Sequence, residues 1–248
     1  MACEALATVG ISAWARSVRF RIGGYDTQML PATIDWSRID TVLLDMDGTL
    51  LDLRFDNWFW QDLLPRAYAT ARGLREAEAV AILRPKFRER RGTLEWYCID
   101  YWSRELELDI AALKFAARNQ VTYLPGAQEF LETLKTAGKR RVLVTNAHPR
   151  TLEMKERQVA LATHVDVLYS SHDFHLPKEH GHFWPRLQAA EPFDPERTLM
   201  IDDSLAVLHA ARGFGIRWLR AIRRPDSGQP PQSTEPFEAI DGIADLLA

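Results

Sequence analysis

The sequence of 248 residues has little cysteine, no long apolar run and almost no excess of one charge. Its two cysteines, Cys3 and Cys98, match neither a disulfide framework nor a metal-binding spacing, which is typical of a reducing compartment. No apolar stretch is long enough to span a bilayer, and residues 1–28 lack a sustained apolar core with a cleavage site. We therefore expect a cytoplasmic protein without a membrane partner.

The charge balance excludes a further class of partner. Lysine and arginine total 31 against 34 acidic residues, a formal net charge of -3, so no global field attracts nucleic acid. We therefore expect no polynucleotide substrate. The sequence also lacks internal repeats and low-complexity tracts, and its hydrophobic fraction of 46% is ordinary for a globular protein. Its length suits one α/β domain with a sizeable insertion, or two small domains.

The N-terminal part of the chain carries no clear structural signal. Residues 1–28 mix alanine, arginine and glycine without a sustained period, and we predict that residues 1–33 form a poorly ordered extension. A transit peptide is an alternative, because the segment is rich in arginine and poor in acids. We hypothesise that Met29 is the natural start.

From residue 34 onward, apolar runs alternate with amphipathic helices, which predicts a parallel α/β sheet. The five predicted strands are Ile39–Leu44, Arg141–Asn146, Val165–Tyr169, Thr198–Ser204 and Ile216–Leu219. The predicted helices between them are Ala127–Ala137, Leu152–Leu161, Phe183–Ala190 and one from Ser204 through Ala211. A loop rich in proline, serine and glutamine over Arg223–Pro236 precedes a short terminal helix.

A long helical stretch separates the first two predicted strands. Asp52 to about Thr122 has apolar residues at helical spacing, and it is far longer than the roughly dozen residues that a crossover needs. We therefore predict a separate all-helical cap over residues 54–122. Residues 34–53 and 123–248 are predicted to form the core domain.

Two carboxylates appear at the end of the first strand, in Asp45-Met46-Asp47-Gly48. Residues two apart on a strand face the same way, so Asp45 and Asp47 can serve one pocket, and Gly48 allows a sharp turn. The alternative is a simple turn, since aspartate and glycine are common turn formers. The rest of the chain decides between them.

Polar residues follow the other strands as well: Thr145 and Asn146 after the second, Lys178 downstream of the third, and Asp202 and Asp203 after the fourth. The carboxyl ends of parallel strands share one edge, so these residues are expected to converge. Two carboxylates at roughly 4 Å repel by about 4 kcal/mol at an effective dielectric constant of ~20. A cation is therefore required among them, and oxygen ligands without a nearby Cys/His set favour Mg²⁺.

The donors at this predicted site suit a phosphoryl group. The Thr145 hydroxyl, the Asn146 backbone N–H and the Lys178 ammonium are predicted to bind phosphate oxygens. Asp45 is predicted to attack phosphorus and become an aspartyl phosphate. Asp47 is predicted to protonate the leaving oxygen and then to accept a proton from water.

These motifs, in this order over residues 39–220, resemble those of the haloacid dehalogenase (HAD) superfamily of phosphatases. The resemblance implies a Rossmann-like α/β core and a helical cap after the first motif. It also implies Mg²⁺ held by the Asp45 carboxylate, the Asp47 carbonyl and an aspartate of the fourth motif (motif IV), which here is Asp202-Asp203. Asp203 aligns best with that aspartate and Asp202 is its neighbour. The other motif IV form has an acid four residues later, where this chain has Val207, so the choice between the two aspartates stays open.

A closer resemblance, from Ile34 onward, is to the bacterial GMP/IMP nucleotidase branch. It rests on five segments: Leu50–Asn57, Trp96–Ser103, Thr145–Pro149, Pro177–Glu179 and Pro225–Gly228. It implies hydrolysis of a small nucleoside monophosphate, GMP or IMP, to nucleoside and phosphate. The aromatic residues of the predicted cap would suit base stacking, but at helical spacing they more often form a core.

Several other interpretations compete. A HAD phosphatase or phosphomutase acting on a sugar phosphate or phosphoglycolate would keep every motif. A non-enzymatic phospho-acceptor is disfavoured by Asp47 in the acid/base position, and dehalogenation because it needs neither Asp47 nor a metal. His148 is interpreted equally as a substrate contact or a helix-entry residue. For the histidines near Lys178, a solvated loop is favoured over a transition-metal site; they are His172, His175, His180 and His182. The charged run Arg88–Arg91 is interpreted as a solvated helix face.

Overall fold

A six-stranded sheet, parallel throughout, organises the protein, with the strand order β3-β2-β1-β4-β5-β6. The computed structural model describes residues 34–247. The strands are β1 Thr41–Leu44, β2 Arg140–Thr145, β3 Val167–Ser170, β4 Thr198–Asp202, β5 Trp218–Ile222 and β6 Ala239–Ile240. All the described residues belong to one compact unit.

The central strand β1 is buried on both faces, which explains its unbroken apolar sequence. Its side chains alternate between two hydrophobic clusters: Val42 and Leu44 enter one, and Leu43 enters the other. Because β2 and β4 flank it in parallel register, the residues that follow β1, β2 and β4 meet at one edge. This edge carries the polar residues singled out above.

Helices cover both faces of the sheet. Those of the core are α7 Ala127–Thr136, α8 Pro149–Val159, α9 Phe183–Ala190 and α10 Leu205–Phe214, with a final 3-10 helix at Ile243–Leu246. Phe130 of α7 belongs to the first cluster, whereas Phe183 of α9 and Leu208 of α10 belong to the second. Each helix therefore buries its apolar face against one side of the sheet.

Between β1 and β2 the chain is helical and forms a third hydrophobic cluster of its own. The helices are α1 Arg54–Trp58, a π-helix Phe59–Leu63, α2 Leu64–Arg72, α3 Glu76–Arg90, α4 Leu94–Tyr97, α5 Ile99–Leu106 and α6 Ile110–Ala116, followed by a 3-10 turn at Arg118–Gln120. Trp102 lies at the centre of this cluster and contacts Trp60, Phe87 and Trp96 edge to face. We call residues 54–120 the helical insertion.

The predicted α/β fold with an inserted helical segment is confirmed. The helical insertion lies where the cap was predicted, although the boundaries of a separate cap stay a prediction. One strand was missed: β6 is two residues long, too short for a period to be visible. The expectations for residues 1–33 concern residues outside those described. In the described part of the chain, none of the helices has the length and apolar character needed to cross a bilayer.

Candidate active site

Three carboxylates meet at the carboxyl edge of β1 and β4. Asp45 follows β1, Asp202 ends β4, and Asp203 follows it, and one oxygen of each lies within 4.8 Å of the others. The Asp45 backbone N–H donates to the Ile201 carbonyl at 3.1 Å, which continues the β1–β4 pairing and fixes the position of the side chain. The predicted convergence of residues far apart in the sequence is therefore present.

Lys178 neutralises part of this charge. Its ammonium, 1% exposed, donates to Asp45 Oδ1 at 2.5 Å, to Asp202 Oδ2 at 2.8 Å and to the Val144 carbonyl at 2.9 Å. Burial alone would lower the pKa of Lys178, but Asp202 and Asp45 outweigh it and raise the pKa above its usual value. Lys178 is therefore a cation whose three N–H groups are all engaged, two by the aspartates and one by the Val144 carbonyl.

The remaining negative charge has no protein partner of its own. Burial raises the pKa of Asp45 to about 6, against the effect of Lys178. Burial, and then repulsion from Asp45 and Asp202, raise the pKa of Asp203 well above its usual value. If all three carboxyl groups are ionised, the Lys178 ammonium leaves an excess of two negative charges, and an all-oxygen donor set of this kind fits Mg²⁺.

Gly48 allows this arrangement. Its φ of +88° lies in the left-handed region, and a Cβ there would stand 2.7 Å from Asp203 Oδ2 and 2.9 Å from Pro225 Cβ. A side chain would therefore both strain the turn and displace Asp203. The glycine after the aspartate pair is needed for the position of a third carboxylate.

The Asp47 side chain points to a different partner. Its carboxylate accepts a short hydrogen bond from Lys155 of α8, which also donates to Asp56 of α1. Asp56 in turn accepts from Lys114 of α6 at 2.5 Å. Burial raises the pKa of Asp47 to about 6, with Lys155 opposing. Burial alone would raise the pKa of Asp56, but Lys114 and Lys155 lower it.

We call Asp47, Lys155, Asp56 and Lys114 the charge chain. Lys155 is 1% exposed and Lys114 is 3% exposed, so both ammonium groups depend on these carboxylates for compensation. The charge chain links the strand-end carboxylate to the first and last α-helices of the helical insertion. Sequence reasoning did not identify Lys155, Asp56 or Lys114. The available signal was Lys155 itself, a charged residue beside Thr151 and Leu152 on the buried face of α8.

Thr145 and Asn146 end β2 beside the carboxylates. The Thr145 hydroxyl accepts from the Ala147 backbone N–H at 3.0 Å. The Asn146 side chain accepts from the Lys178 backbone N–H at 2.9 Å and donates to Glu179 at 2.9 Å. Asn146 therefore holds the segment that carries Lys178 in place.

A contact between the helical insertion and the sheet edge closes one side of the site. The Tyr97 hydroxyl donates a short hydrogen bond to Glu179, and burial, with Glu179, raises the pKa of Tyr97. A cleft of about 940 Å³ lies between them, lined by the strand-end residues and by Trp60, Phe87, Trp96, Arg84, Arg88 and Arg91. The three arginines are exposed, as predicted for Arg88 and Arg91, yet they border this cleft. A ligand larger than phosphate fits here.

The sequence as a whole was compared with known protein families. A model of haloacid dehalogenase-like hydrolases matches residues 39–215. The chain belongs to this family.

Among the relatives of this HAD-family chain is the GMP/IMP nucleotidase YrfG of Escherichia coli. The two are 46% identical over 195 residues, which cover 79% of this chain and 88% of the relative. A phosphoglycolate phosphatase of Nitrosococcus oceani is 26% identical over 214 residues, which cover 84% of this chain and 94% of that protein. The predicted assignment to the HAD superfamily, on its GMP/IMP nucleotidase branch, is confirmed by this similarity.

Solved structures support the fold. A HAD phosphatase from Thermococcus onnurineus superimposes with a TM-score of 0.69 at 21% identity, over 84% of this chain and 96% of that one. An L-2-haloacid dehalogenase from Xanthobacter autotrophicus gives a TM-score of 0.57 at 19% identity, with the same coverage. At these identities the likeness concerns the fold of this HAD-family chain and not its reaction.

The structure groups the predicted site residues of this HAD-family chain in three sets. The carboxylates of Asp45, Asp202 and Asp203 form the predicted metal cluster, and Lys178 contacts two of them. The Asp47 carboxylate is bound to Lys155 instead, so Asp47 would reach a metal only through its backbone carbonyl. Thr145 and Asn146 line the same cleft. The roles predicted for all seven residues stay predictions.

Proposed function

We propose that this HAD-family enzyme is a Mg²⁺-dependent phosphomonoester hydrolase that removes phosphate from the purine 5′-nucleotides GMP and IMP. The observation that carries the proposal is the meeting of Asp45, Asp202 and Asp203 beside Lys178, at the floor of a cleft bordered by aromatic side chains. Such a site presents a nucleophile, a cation-binding set and room for a base in one place.

The choice of nucleotide is supported by similarity and by the chemistry of the cleft. The relative that is 46% identical is described as a GMP/IMP nucleotidase. Trp60, Phe87 and Trp96 border the cleft, and stacking of a base on such rings contributes roughly 1–3 kcal/mol. Exposed arginines at the same border can donate to the O6 and N7 acceptors that GMP and IMP share.

In the proposed reaction, an Asp45 carboxylate oxygen attacks phosphorus and the bond from phosphorus to the 5′ oxygen breaks. Lys178 holds Asp45 at 2.5 Å and fixes the direction of that oxygen. Asp47 gives a proton to the departing 5′ oxygen, which leaves as the nucleoside. A carboxyl whose pKa is raised to about 6 can hold that proton near neutral pH.

The second half of the reaction returns the enzyme to its starting state. Asp47 accepts a proton from water as the water oxygen attacks phosphorus. The bond from phosphorus to Asp45 then breaks and phosphate leaves. The Thr145 hydroxyl and the Asn146 backbone N–H are proposed to bind phosphate oxygens throughout. Lys178 joins them only by exchanging one of its present hydrogen bonds.

The carboxylates of Asp45, Asp202 and Asp203, with the Asp47 carbonyl, are the groups that would hold Mg²⁺. The ion supplies neutralisation of the phosphate charge and of the carboxylate cluster. The fit rests on the donor set, since all three side chains offer oxygen and Lys178 compensates only part of their charge. Both oxygens of Asp202 already accept hydrogen bonds, from Lys178 and from the Ser204 backbone N–H, which favours Asp203 as the direct ligand.

Phosphate release across nucleoside monophosphates tests the proposal. We expect GMP and IMP to be preferred over AMP and pyrimidine nucleotides, and activity to vanish with EDTA and in Asp45→Asn. Asp40→Asn is the matched control, because that exposed residue precedes β1, at the opposite end of the strand from Asp45, and pairs with Arg197 away from the cleft. Retained activity in Asp45→Asn would contradict the proposed nucleophile.

A second candidate is a phosphatase or phosphomutase for phosphoglycolate or a sugar phosphate. The 26% identity to a phosphoglycolate phosphatase favours it, because that similarity spans 84% of this chain. Adding phosphoglycolate and sugar phosphates to the same panel separates the two. A preference for these esters over GMP and IMP would replace the nucleotide proposal and leave the chemistry unchanged.

A further inference from the structure

A second cluster of potential ligands lies beside the site and consists of Cys98, His148 and His172. One ligand atom of each residue lies within 4.8 Å of the others, and the two imidazole rings are 4.9 Å apart. The three residues come from distant parts of the sequence, so no spacing pattern marked them. Cys98 lies between α4 and α5, His148 caps α8, and His172 follows β3.

His172 has a ring nitrogen that is free to bind a metal ion. The Nε2 atom of its ring is buried and has no hydrogen-bond partner among the described residues. A metal-binding histidine needs one such nitrogen free for the metal. Burial lowers the pKa of His172 to about 4, so the ring is neutral and its lone pair is available. An unpartnered buried nitrogen otherwise carries a cost.

Cys98 and His148 complete the set. The Cys98 sulfur is half-buried and accepts a hydrogen bond from the Tyr101 backbone N–H at 3.3 Å, which caps α5. His148 Nε2 lies 3.6 Å from Asp100 Oδ2, and His148 Nδ1 accepts from the Arg150 N–H at 3.3 Å. The Asp100 contact lies beyond hydrogen-bond distance and the bond from Arg150 is long, so a ring nitrogen is available to a metal at little cost. A carboxylate beside a metal-bound histidine is a common supporting group.

We propose that Cys98, His148 and His172 form a binding site for a transition-metal ion of the zinc class, separate from the carboxylate cluster. On binding, the Cys98 thiol releases a proton to solvent and a sulfur–metal bond forms. The neutral rings of His148 and His172 each bind the metal through the lone pair of one nitrogen and keep their single N–H on the other. Three ligands leave the fourth tetrahedral position for water. Thiolate and imidazole select Zn²⁺, whereas the all-oxygen cluster selects Mg²⁺, so the two sites discriminate by ligand type.

A metal ion at this position would connect the helical insertion to the sheet edge. Cys98 belongs to the helical insertion, whereas His148 and His172 belong to the loops after β2 and β3. An ion bound by all three joins the insertion to the sheet edge, at His148, two residues after Asn146. We therefore expect Zn²⁺ to slow nucleotide turnover in the presence of Mg²⁺. That consequence rests on the proposed function, but the metal site does not.

Cobalt(II) titration of the full-length protein tests the site directly, with saturating Mg²⁺ present to occupy the carboxylates. We expect one equivalent of Co²⁺ to produce visible absorption of tetrahedral cobalt and a near-ultraviolet thiolate-to-cobalt band, both removed by Zn²⁺. Carboxylates cannot give the thiolate band. Cys98→Ser should abolish it, and His172→Gln should weaken Co²⁺ binding by at least about tenfold.

Two matched variants serve as controls. Cys3→Ser and His175→Gln should leave the spectrum unchanged, because Cys3 is the other thiol and His175 is a neighbouring histidine outside the cluster. Circular dichroism of each variant reports folding, and His172→Gln retains a polar group where alanine would leave a gap. A band that survives Cys98→Ser, a band lost in Cys3→Ser, or equal cobalt affinity in wild type and His172→Gln would each overturn the proposal.

Discussion

Single residues decide the geometry of the carboxylate cluster, and Gly48 is the least replaceable of them. We expect Gly48→Ala to lower the free energy of unfolding by at least about 1–2 kcal/mol, because alanine is strained at a left-handed φ. Activity should fall by more than stability explains, since the new Cβ would meet Asp203 at 2.7 Å. Gly138→Ala is the matched control: its φ is also positive, but a Cβ there meets nothing within 4 Å.

Asp203 provides a second prediction, on the pH dependence of stability. Its pKa in the folded protein is raised, so the protonated form stabilises the fold below the ordinary value near 3.8, and that stability is lost as pH rises through the raised pKa. In EDTA at pH 7.5 we therefore expect Asp203→Asn to melt at least about 2 °C above wild type. The difference should shrink towards pH 4. A variant that melts below wild type at pH 7.5 would contradict the electrostatic account.

Secondary-structure elements are joined by the charge chain, which ties α1, α6 and α8 to Asp47. Asp56 compensates both Lys155 and Lys114, and its charge raises the pKa of Asp47. In Asp56→Asn, Lys155 is less compensated and holds Asp47 more firmly in its ionised form. Asp47 should then protonate a leaving oxygen less readily.

The leaving group makes this prediction measurable. An alkoxide such as the 5′ oxygen of GMP needs a proton, whereas p-nitrophenolate leaves largely without one. We expect Asp56→Asn to lower kcat/KM for GMP by at least about tenfold and that for p-nitrophenyl phosphate by much less. Retained p-nitrophenyl phosphate turnover also shows that the variant folds. Equal losses on both substrates would indicate a merely structural role.

Sequence patterns predicted the strands that are buried, because burial requires apolar residues. The strands β1, β2 and β4 are mostly apolar because both faces of the sheet are covered, and the polar residues come at their ends: Asp45 directly after β1, Thr145 at the end of β2 and Asp202 at the end of β4. Topology then predicts that these residues converge. The two-residue strand β6 could not be recognised, because its pairing with β5 depends on the fold and not on its own sequence.

The partners of Asp47 and the ligands near His172 show what the sequence does not contain. Lys155 is 108 residues from Asp47, and only the packing of α8 under the helical insertion brings the two together. The structure likewise places His172 beside Cys98 and His148, whereas sequence proximity had grouped it with His175. Side chains on helices and loops meet through tertiary packing, for which no short pattern exists.

At the scale of the whole molecule, the account predicts that folding and Mg²⁺ binding are linked. An ion that binds only the folded protein stabilises it by ~2.7 kcal/mol at a hundred times its Kd. We expect Mg²⁺ to raise the Tm of wild type at neutral pH, and to raise it far less in Asp203→Asn, which lacks one ligand. The measurement is thermal unfolding over a Mg²⁺ titration. An equal rise in both proteins would place the ion elsewhere.

The whole molecule is best described as a sheet edge that carries the chemistry and a helical insertion that borders the cleft above it. The sheet edge supplies Asp45, Asp202 and Asp203, and the insertion supplies Tyr97 and the aromatic border. In the proposed reaction, the insertion holds the base and the sheet edge receives the phosphoryl group. The central claim is therefore that Asp45 is the nucleophile that accepts the phosphoryl group.

Rapid quench of the enzyme during turnover of GMP, followed by mass spectrometry of its peptides, tests this claim most directly. The account predicts a transient phosphoryl group on Asp45 that hydroxylamine removes, that accumulates when Asp47→Asn slows its hydrolysis, and that is absent in Asp45→Asn. Phosphate release without any phosphorylated peptide in wild type or Asp47→Asn, or with the phosphoryl group on another residue, would contradict it.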